Sequence, residues 1–208
     1  MSERSEIAAV TGSAALPGTR RSQAKAARRA ELIAAAARQM ARRGFAAVRL
    51  EDIGAEAGVS GPAMYRHFKS KIDLLDQMLL DISERLHSGG EAVVAEGGAP
   101  ADVLMRLIEF HIDVLVTKPD LITVQDRDLT SMTPEANRTV RSLQRRYVER
   151  WVDVLVEAVR GLTRDEARVR VHAGFGLLNS SPRLPRYPDA ALGELLTAMA
   201  LGALYAGV

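Results

Sequence analysis

The chain contains no cysteine, so it can form no disulfide, no thiolate metal site and no cysteine nucleophile, and nothing in it calls for an oxidising compartment. Aromatic residues make up only 4%, with a single tryptophan, which leaves β-sheet packing short of the side chains it favours. No apolar run reaches the roughly 20 residues that cross a bilayer. The most apolar stretch, residues 190–208, follows a Pro-rich loop and includes Glu194, so it reads as a buried or intersubunit helix. Residues 7–16 are too short and too polar for the core of a secretion signal. What remains is a 208-residue chain that is 47% hydrophobic and 26% charged, the profile of packed helices.

Helical periodicity runs almost everywhere from Ala24 onward. Ile33, Ala36, Ala37, Met40 and Ala41 share one face of a helix that ends at Gly44. Short helices are expected over 50–57 and 61–68. A longer one carries the stripe Ile72, Leu75, Leu79, Ile82 and Leu86 to about Ser88, where the glycines around Gly89, Gly90, Gly97 and Gly98 are expected to interrupt it. Beyond Pro100 come Val103, Leu107, Phe110 and Val114, a break near Pro119, a short helical piece, then a long helix from about Thr133 to Gly161 with Val140, Tyr147, Trp151 and Leu155 on one side. A helix from Thr163 to about Ser180, a loop over 182–188 and an apolar terminal helix complete the chain. No stretch reads as a strand, so the expected fold is all-α, with about nine helices.

Charge is uneven although the net value is only +2. Residues 18–71 hold twelve basic against four acidic side chains, a local balance of +8, and residues 72–208 are acidic by −5. Such asymmetry suits a polyanion at one end. Within the basic segment, Ile53 and Ala57 lie one helical turn apart, Gly58 can take the left-handed conformation that ends a helix, and Val59 can plug the corner. Ser60 is then expected to cap a second helix whose first turn tolerates Pro62, and Ser70 with Asp73 repeats the capping role. That second helix turns Met64 and Phe68 inward and presents Tyr65, Arg66 and His67 outward. A helix so presented fits a DNA major groove, with Gly61, Pro62 and Ala63 nearest the bases, Arg66 able to read guanine, and Tyr65, His67 and Lys71 placed to hold phosphates.

The run Asp52-Ile53, Ala57-Gly58-Val59-Ser60, Tyr65-Arg66-His67-Phe68, Lys69-Ser70-Lys71 and Leu74-Leu75 resembles the N-terminal domain of the TetR/AcrR (tetracycline-repressor) family of bacterial regulators, over roughly residues 28–75. The resemblance implies a three-helix DNA-binding head, a divergent helical body that binds a small effector, and pairing of two subunits through the last two helices. The position before the first helix of the motif, often threonine in that family, is Arg49 here, which loses a hydroxyl cap and gains a phosphate-seeking cation. The expected division is a flexible basic arm over 1–23, the helix-turn-helix domain over 24–71, and an effector-binding and dimerisation domain over 72–208. Basic residues from Arg20 to Arg29 are then expected either along a neighbouring minor groove or as a solvated tail.

The helical body offers Phe110, His111, Gln125, Asp128, Met132, Tyr147, Trp151 and Phe175 as candidate pocket residues, a mixture of apolar bulk with occasional polar groups. Little inward charge suggests a largely apolar effector with one polar end. Small residues Ala173, Gly174 and Gly176, with Gly193, Ala198, Ala200, Gly202 and Ala203, allow two helices to approach closely, and Phe175, Leu178, Leu195, Leu196 and Met199 supply apolar area for a homodimer. Two subunits would set two recognition helices on half-sites about 34 Å apart. The four histidines, His67, His87, His111 and His172, fall in no metal-helix spacing, Ser180-Ser181 lacks a nucleophile turn, and no phosphate-loop or dinucleotide motif occurs. No cofactor, metal or enzymatic activity is therefore expected. The expected function is a ligand-responsive repressor in the bacterial cytoplasm, associated with the nucleoid when on a pseudo-palindromic double-stranded operator and released by the effector. The alternative is a helical interaction or scaffold module without DNA binding.

Overall fold

The computed structural model describes residues 20–207. Among these the chain is all-α, without a strand: α1 (Arg20–Arg43), α2 (Leu50–Glu56), α3 (Gly61–Met64), α4 (Lys71–Ala95), α5 (Pro100–Thr117), α6 (Pro119–Asp128), α7 (Pro134–Ala158), α8 (Arg164–Leu178) and α9 (Asp189–Leu204), with short 3-10 turns at Leu129–Ser131 and Ser181–Arg183. Helix starts follow local chemistry. Pro100, Pro119 and Pro134 occupy first turns, where a missing N–H costs nothing. Ser70, Thr133 and Thr163 accept N–H bonds from Asp73, Ala136 and Glu166. The helix α1 takes in Arg20 to Gln23, which the sequence places in the arm; residues 1–19 lie outside the described residues.

The long helix α7 packs on α4, α5 and α8, and α9 lies across α5 and α8. At the other end, α1 to α3 gather around Leu32, Met40, Ile53, Met64 and Phe68, all fully or almost fully buried. Two elements join the ends: α4 by continuity, and α6, which packs along α1. Among the described residues no helix is long and apolar enough to cross a membrane.

One expectation is corrected. The glycines at 89 and 90 do not interrupt α4, which continues to Ala95 and stops before Gly97. They are contact sites: a Cβ on Gly89 would lie 2.1 Å from Cζ of Phe110, and one on Gly90 2.4 Å from Cε2 of Tyr147. Rings from α5 and α7 therefore rest directly on the α4 backbone. The same helix is fastened to α7 by Asp76, whose carboxylate accepts the Thr133 N–H at 3.0 Å and the Thr133 hydroxyl at 2.6 Å, and by a two-bonded Arg150–Glu91 pair at 2.8 and 3.0 Å.

In an open helix Gly→Ala stabilises by about 1 kcal/mol. At Gly90 the Tyr147 ring reverses the sign, so Gly90→Ala is expected to cost roughly 1–3 kcal/mol and lower Tm in thermal unfolding followed by circular dichroism. An unchanged or raised Tm would contradict the close approach of the ring.

Candidate functional site

At the basic end, α2 and α3 meet at a corner. The chain turns at Gly58, whose φ of +68° is open to glycine at little cost, and the Val59 N–H closes the turn on the Gly54 carbonyl at 2.8 Å. Gly54 leaves room for α3: a Cβ there would sit 2.9 Å from Cγ of Met64. The second helix is shorter than the sequence suggests, ending at Met64, but Arg66, His67 and Phe68 still donate back to the Ala63 and Met64 carbonyls, so the turn persists to Phe68. Met64 and Phe68 face inward as expected; Pro62, Tyr65 and Arg66 are exposed, and Gly61, Ala63 and His67 half-exposed. Ser60 stands before the helix but its hydroxyl makes no capping bond and is free on the surface.

The twelve cations of residues 18–71 divide into two groups. Six are internal struts. Arg28 donates to the Ala57 carbonyl at 2.9 Å, at the end of α2; Arg29 pairs with Asp81 at 2.7 Å on α4; Arg38 and Arg42 share Glu56; Arg43 reaches Asp52 at 3.4 Å; and Lys71 donates to the Phe45 and Ala46 carbonyls at 2.8 and 3.1 Å while lying over the Phe45 ring. Burial raises the pKa of Glu56, but the hydrogen bond and charge of Arg38, with Arg42, outweigh it and hold the carboxyl below its ordinary range. The other six, Arg20, Arg21, Lys25, Arg49, Arg66 and Lys69, have no side-chain partner among the described residues. Arg49 precedes α2, with its backbone N–H held by the Asp52 carboxylate at 3.3 Å and its guanidinium exposed. The Tyr65 hydroxyl donates to Glu51 at 3.1 Å, and that carboxylate raises its pKa. Lys69, not chosen as a site residue from the sequence, adds an amine without a partner among the described residues three positions after Arg66; its place after the motif helix is the available signal.

In the body, a cavity of about 310 Å³ opens between α4, α5, α6, α7 and α8. Of the expected pocket residues, His111, Gln125, Tyr147 and Phe175 line it. The others do not. Phe110 packs on Gly89, Met132 and Trp151 are buried in the core, and Asp128 is buried in a pair with Arg127 at 2.9 Å. Residues not foreseen in the wall include Leu86, Ile122, Gln144, His172 and Asn179. Gln144 lies three residues before Tyr147 on the same helical face, a signal that the periodicity contained; Asn179 is brought in by tertiary packing alone. A larger cleft of about 460 Å³ lies between α1, α4 and the α5–α6 corner, but none of its lining side chains has a buried polar atom without a partner.

His111 is fully enclosed, with Phe175, Tyr147 and Trp151 rings at 4.9, 5.8 and 6.0 Å. Burial drives its pKa down to about 4, against a smaller opposing effect of Asn179, so the ring is neutral at pH 7. The Asn179 carbonyl oxygen at 3.3 Å fixes the proton on Nε2, and the Tyr147 hydroxyl then donates to Nδ1 at 3.4 Å. Burial likewise raises the Tyr147 phenol, which stays protonated. The wall thus holds a self-satisfied neutral chain, Tyr147 to His111 to Asn179.

Helix α6 links this cavity to the basic end. Ile122, Gln125 and Asp126 line the cavity, while Arg127 on the same turn donates to the Met40 and Ala41 carbonyls at the end of α1, the latter at 3.1 Å. Its guanidinium is oriented by Asp128, whose hydrogen bond raises the Arg127 pKa.

The His111 pKa gives a pH dependence. Its folded value lies below the unfolded one of about 6.5, so the unfolded chain binds the proton first and the stability that a neutral His111 permits is lost as pH falls from about 6.5 to about 4. The loss approaches about 3 kcal/mol. The stability difference between wild type and His111→Asn, followed by urea unfolding, is expected to shrink by that amount over the interval; a constant difference would contradict a buried neutral imidazole.

A family model for bacterial regulatory proteins of the tetR family matches residues 32–78, and a tetracyclin repressor-like C-terminal domain matches residues 97–183. The chain is 32% identical over 155 residues to the HTH-type transcriptional regulator CymR of Pseudomonas putida, spanning 71% of this chain and 75% of that protein. The ketosteroid transcriptional regulator KstR2 of Mycobacterium tuberculosis has a similar structure, with a TM-score of 0.73 at 22% identity over 84% of this chain and 93% of that one. FadR from Bacillus subtilis, solved in complex with stearoyl-CoA, gives a TM-score of 0.66 at 20% identity over 86% and 98%. With the helix-turn-helix corner, the nine helices among the described residues and these matches, the chain belongs to the tetR family of DNA-binding bacterial transcriptional regulators, whose members are regulators and not enzymes.

Proposed function

We propose that this chain is a homodimeric, ligand-responsive repressor that grips a pseudo-palindromic operator through residues around α3 and lets go when a small, largely apolar molecule fills the cavity between α4 and α8. The observation that carries the proposal is the double duty of α6, which walls the cavity with Ile122, Gln125 and Asp126 and holds the end of α1 through Arg127. An occupant that displaces α6 also displaces the support of the head. Helix α4 is fastened to α7 by Asp76 and Glu91, and the α6–α1 contact is the second connection between body and head. The effector must prefer the displaced arrangement; a 100-fold preference, about 2.7 kcal/mol, weakens operator binding correspondingly.

The division of the chain follows the same lines, with the head ending near Lys71 and the body beyond it. In the head, Arg66 faces base edges, supported by Ser60, Gly61, Pro62 and Ala63 at the groove, with Arg49, Tyr65, His67 and Lys71 toward phosphates. Tyr65 and Lys71 must trade their contacts with Glu51 and the Phe45 carbonyl to do so, whereas Arg49 and Arg66 have nothing to give up. B. subtilis FadR in its complex with stearoyl-CoA illustrates ligand binding by a protein of this fold.

Pairing of subunits is supported by two exposed stripes of small and apolar side chains. On α8 they are Val169, Ala173 and Gly176, and on α9 Leu195, Ala198, Met199 and Gly202, each at helical spacing; Val169, Leu195 and Met199 are 69%, 48% and 47% exposed. Leu178, Leu196 and Ala200, also expected at the interface, are instead buried within the subunit. A lone subunit would leave an apolar patch in water.

Duplex binding tests this function, using the operator found by genomic footprinting. Arg66→Ala and Arg49→Ala are each expected to weaken binding, with Arg49→Ala lowering the salt slope by about 1, while the internal strut variant Arg38→Ala leaves the slope unchanged. Absence of salt-dependent duplex binding by the folded wild type would overturn the proposal.

A further inference from the structure

We infer that the cavity between α4 and α8 selects an uncharged, mainly aromatic or alicyclic molecule bearing a hydroxyl, with Gln125 as its polar anchor, and that it rejects carboxylates and coenzyme A thioesters. The inference rests on the proposed effector site and names the chemistry of its occupant.

Three observations carry it. First, Gln125 lines the cavity with its Oε1 shielded from solvent and without a hydrogen-bond partner. A shielded polar atom of this kind gains most from a ligand group that completes it. A hydroxyl both donates and accepts, so it satisfies the amide whichever of its two polar atoms is offered. Second, Tyr147, His111 and Asn179 satisfy one another, and Gln144 and His172 in the same wall are within reach of solvent, which leaves the Gln125 oxygen as the shielded position without a partner among the described residues of the wall. Third, no lysine or arginine lines the cavity, whose basic side chains are two imidazoles, the buried His111 and the exposed His172. The one ionised carboxylate in the wall, Asp126, is paired outward with Arg183 at 2.6 Å, and His111 is neutral because burial lowers its pKa. An anion entering here would be stripped of water with no cation to compensate it and with a carboxylate at its side. Phe175 and Tyr147, 5.6 Å apart, offer ring faces and edges to a flat hydrocarbon body.

The single tryptophan provides the readout, since Trp151 lies 4.9 Å from the Phe175 ring and 6.0 Å from the Tyr147 ring, both in the wall. The full chain is titrated with 4-phenylphenol, biphenyl, biphenyl-4-carboxylate and stearoyl-CoA, following tryptophan fluorescence and Tm, and operator binding is measured separately. The expected order is 4-phenylphenol tightest, biphenyl weaker by about tenfold for the lost hydrogen bond, and the two anions weaker still. Gln125→Leu is expected to remove the preference of the phenol over biphenyl while leaving biphenyl binding in place, which also shows that the variant is folded. Tighter binding of either anion, equal preference in Gln125→Leu, or no binding by any of the four compounds would overturn the inference. If the phenol binds in the expected order and the operator affinity does not change, the ligand class stands and the regulatory proposal falls. If an anion binds best and releases the operator, the regulatory proposal stands and this inference falls.

Discussion

The last turn of α1 ends in backbone carbonyls that the helix cannot satisfy itself, and a guanidinium from the other half of the chain supplies their donors. Arg127 is half-exposed, so each bond contributes only about 1 kcal/mol, but the contact is placed where two structural units meet. The same device recurs within the head: Arg28 holds the carbonyl at the end of α2, and Lys71 holds the turn after α1. Cations on helix ends thus shape the head, and one of them belongs to the body. A small displacement of α6 changes what the head rests on without any change in the head's own core.

That use of charge alters how the basic segment should be understood. A balance of +8 over residues 18–71 describes the sequence, but half of its cations are committed to carboxylates or carbonyls of the fold. The positive field remains, since struts still carry charge, yet only the unpaired side chains can close on a phosphate without breaking something first. The cavity follows the opposite rule. Its buried Tyr147, His111 and Asn179 are neutral and mutually bonded, and the shielded oxygen of Gln125 is left without a partner among the described residues.

The helix-turn-helix corner was legible because it depends on local constraints: a left-handed glycine, a proline in a first turn, and inward residues four apart. Met64 and Phe68 are where that spacing puts them. The α4 glycines were misread for a physical reason. Glycine in a sequence signals either a break or a close approach, and the partner rings, Phe110 and Tyr147, lie 21 and 57 positions away, beyond any local pattern. His111, Gln125, Tyr147 and Phe175 could be picked by type and face, but Trp151, equally suitable by type, is turned into the core. Asn179 and the pairing of each cation depend on tertiary contacts and left no trace in periodicity.

The coupling of cavity to head through Arg127 is tested most directly by a double-mutant cycle on operator affinity. Val148→Phe fills the cavity from α7 and stands in for an occupant, and Arg127→Ala removes the link. Operator Kd is measured for the wild type, both single variants and the double variant at one salt concentration. The account predicts that filling the cavity weakens operator binding in the wild-type background and has little further effect once Arg127 is gone. An equal loss in both backgrounds would contradict it.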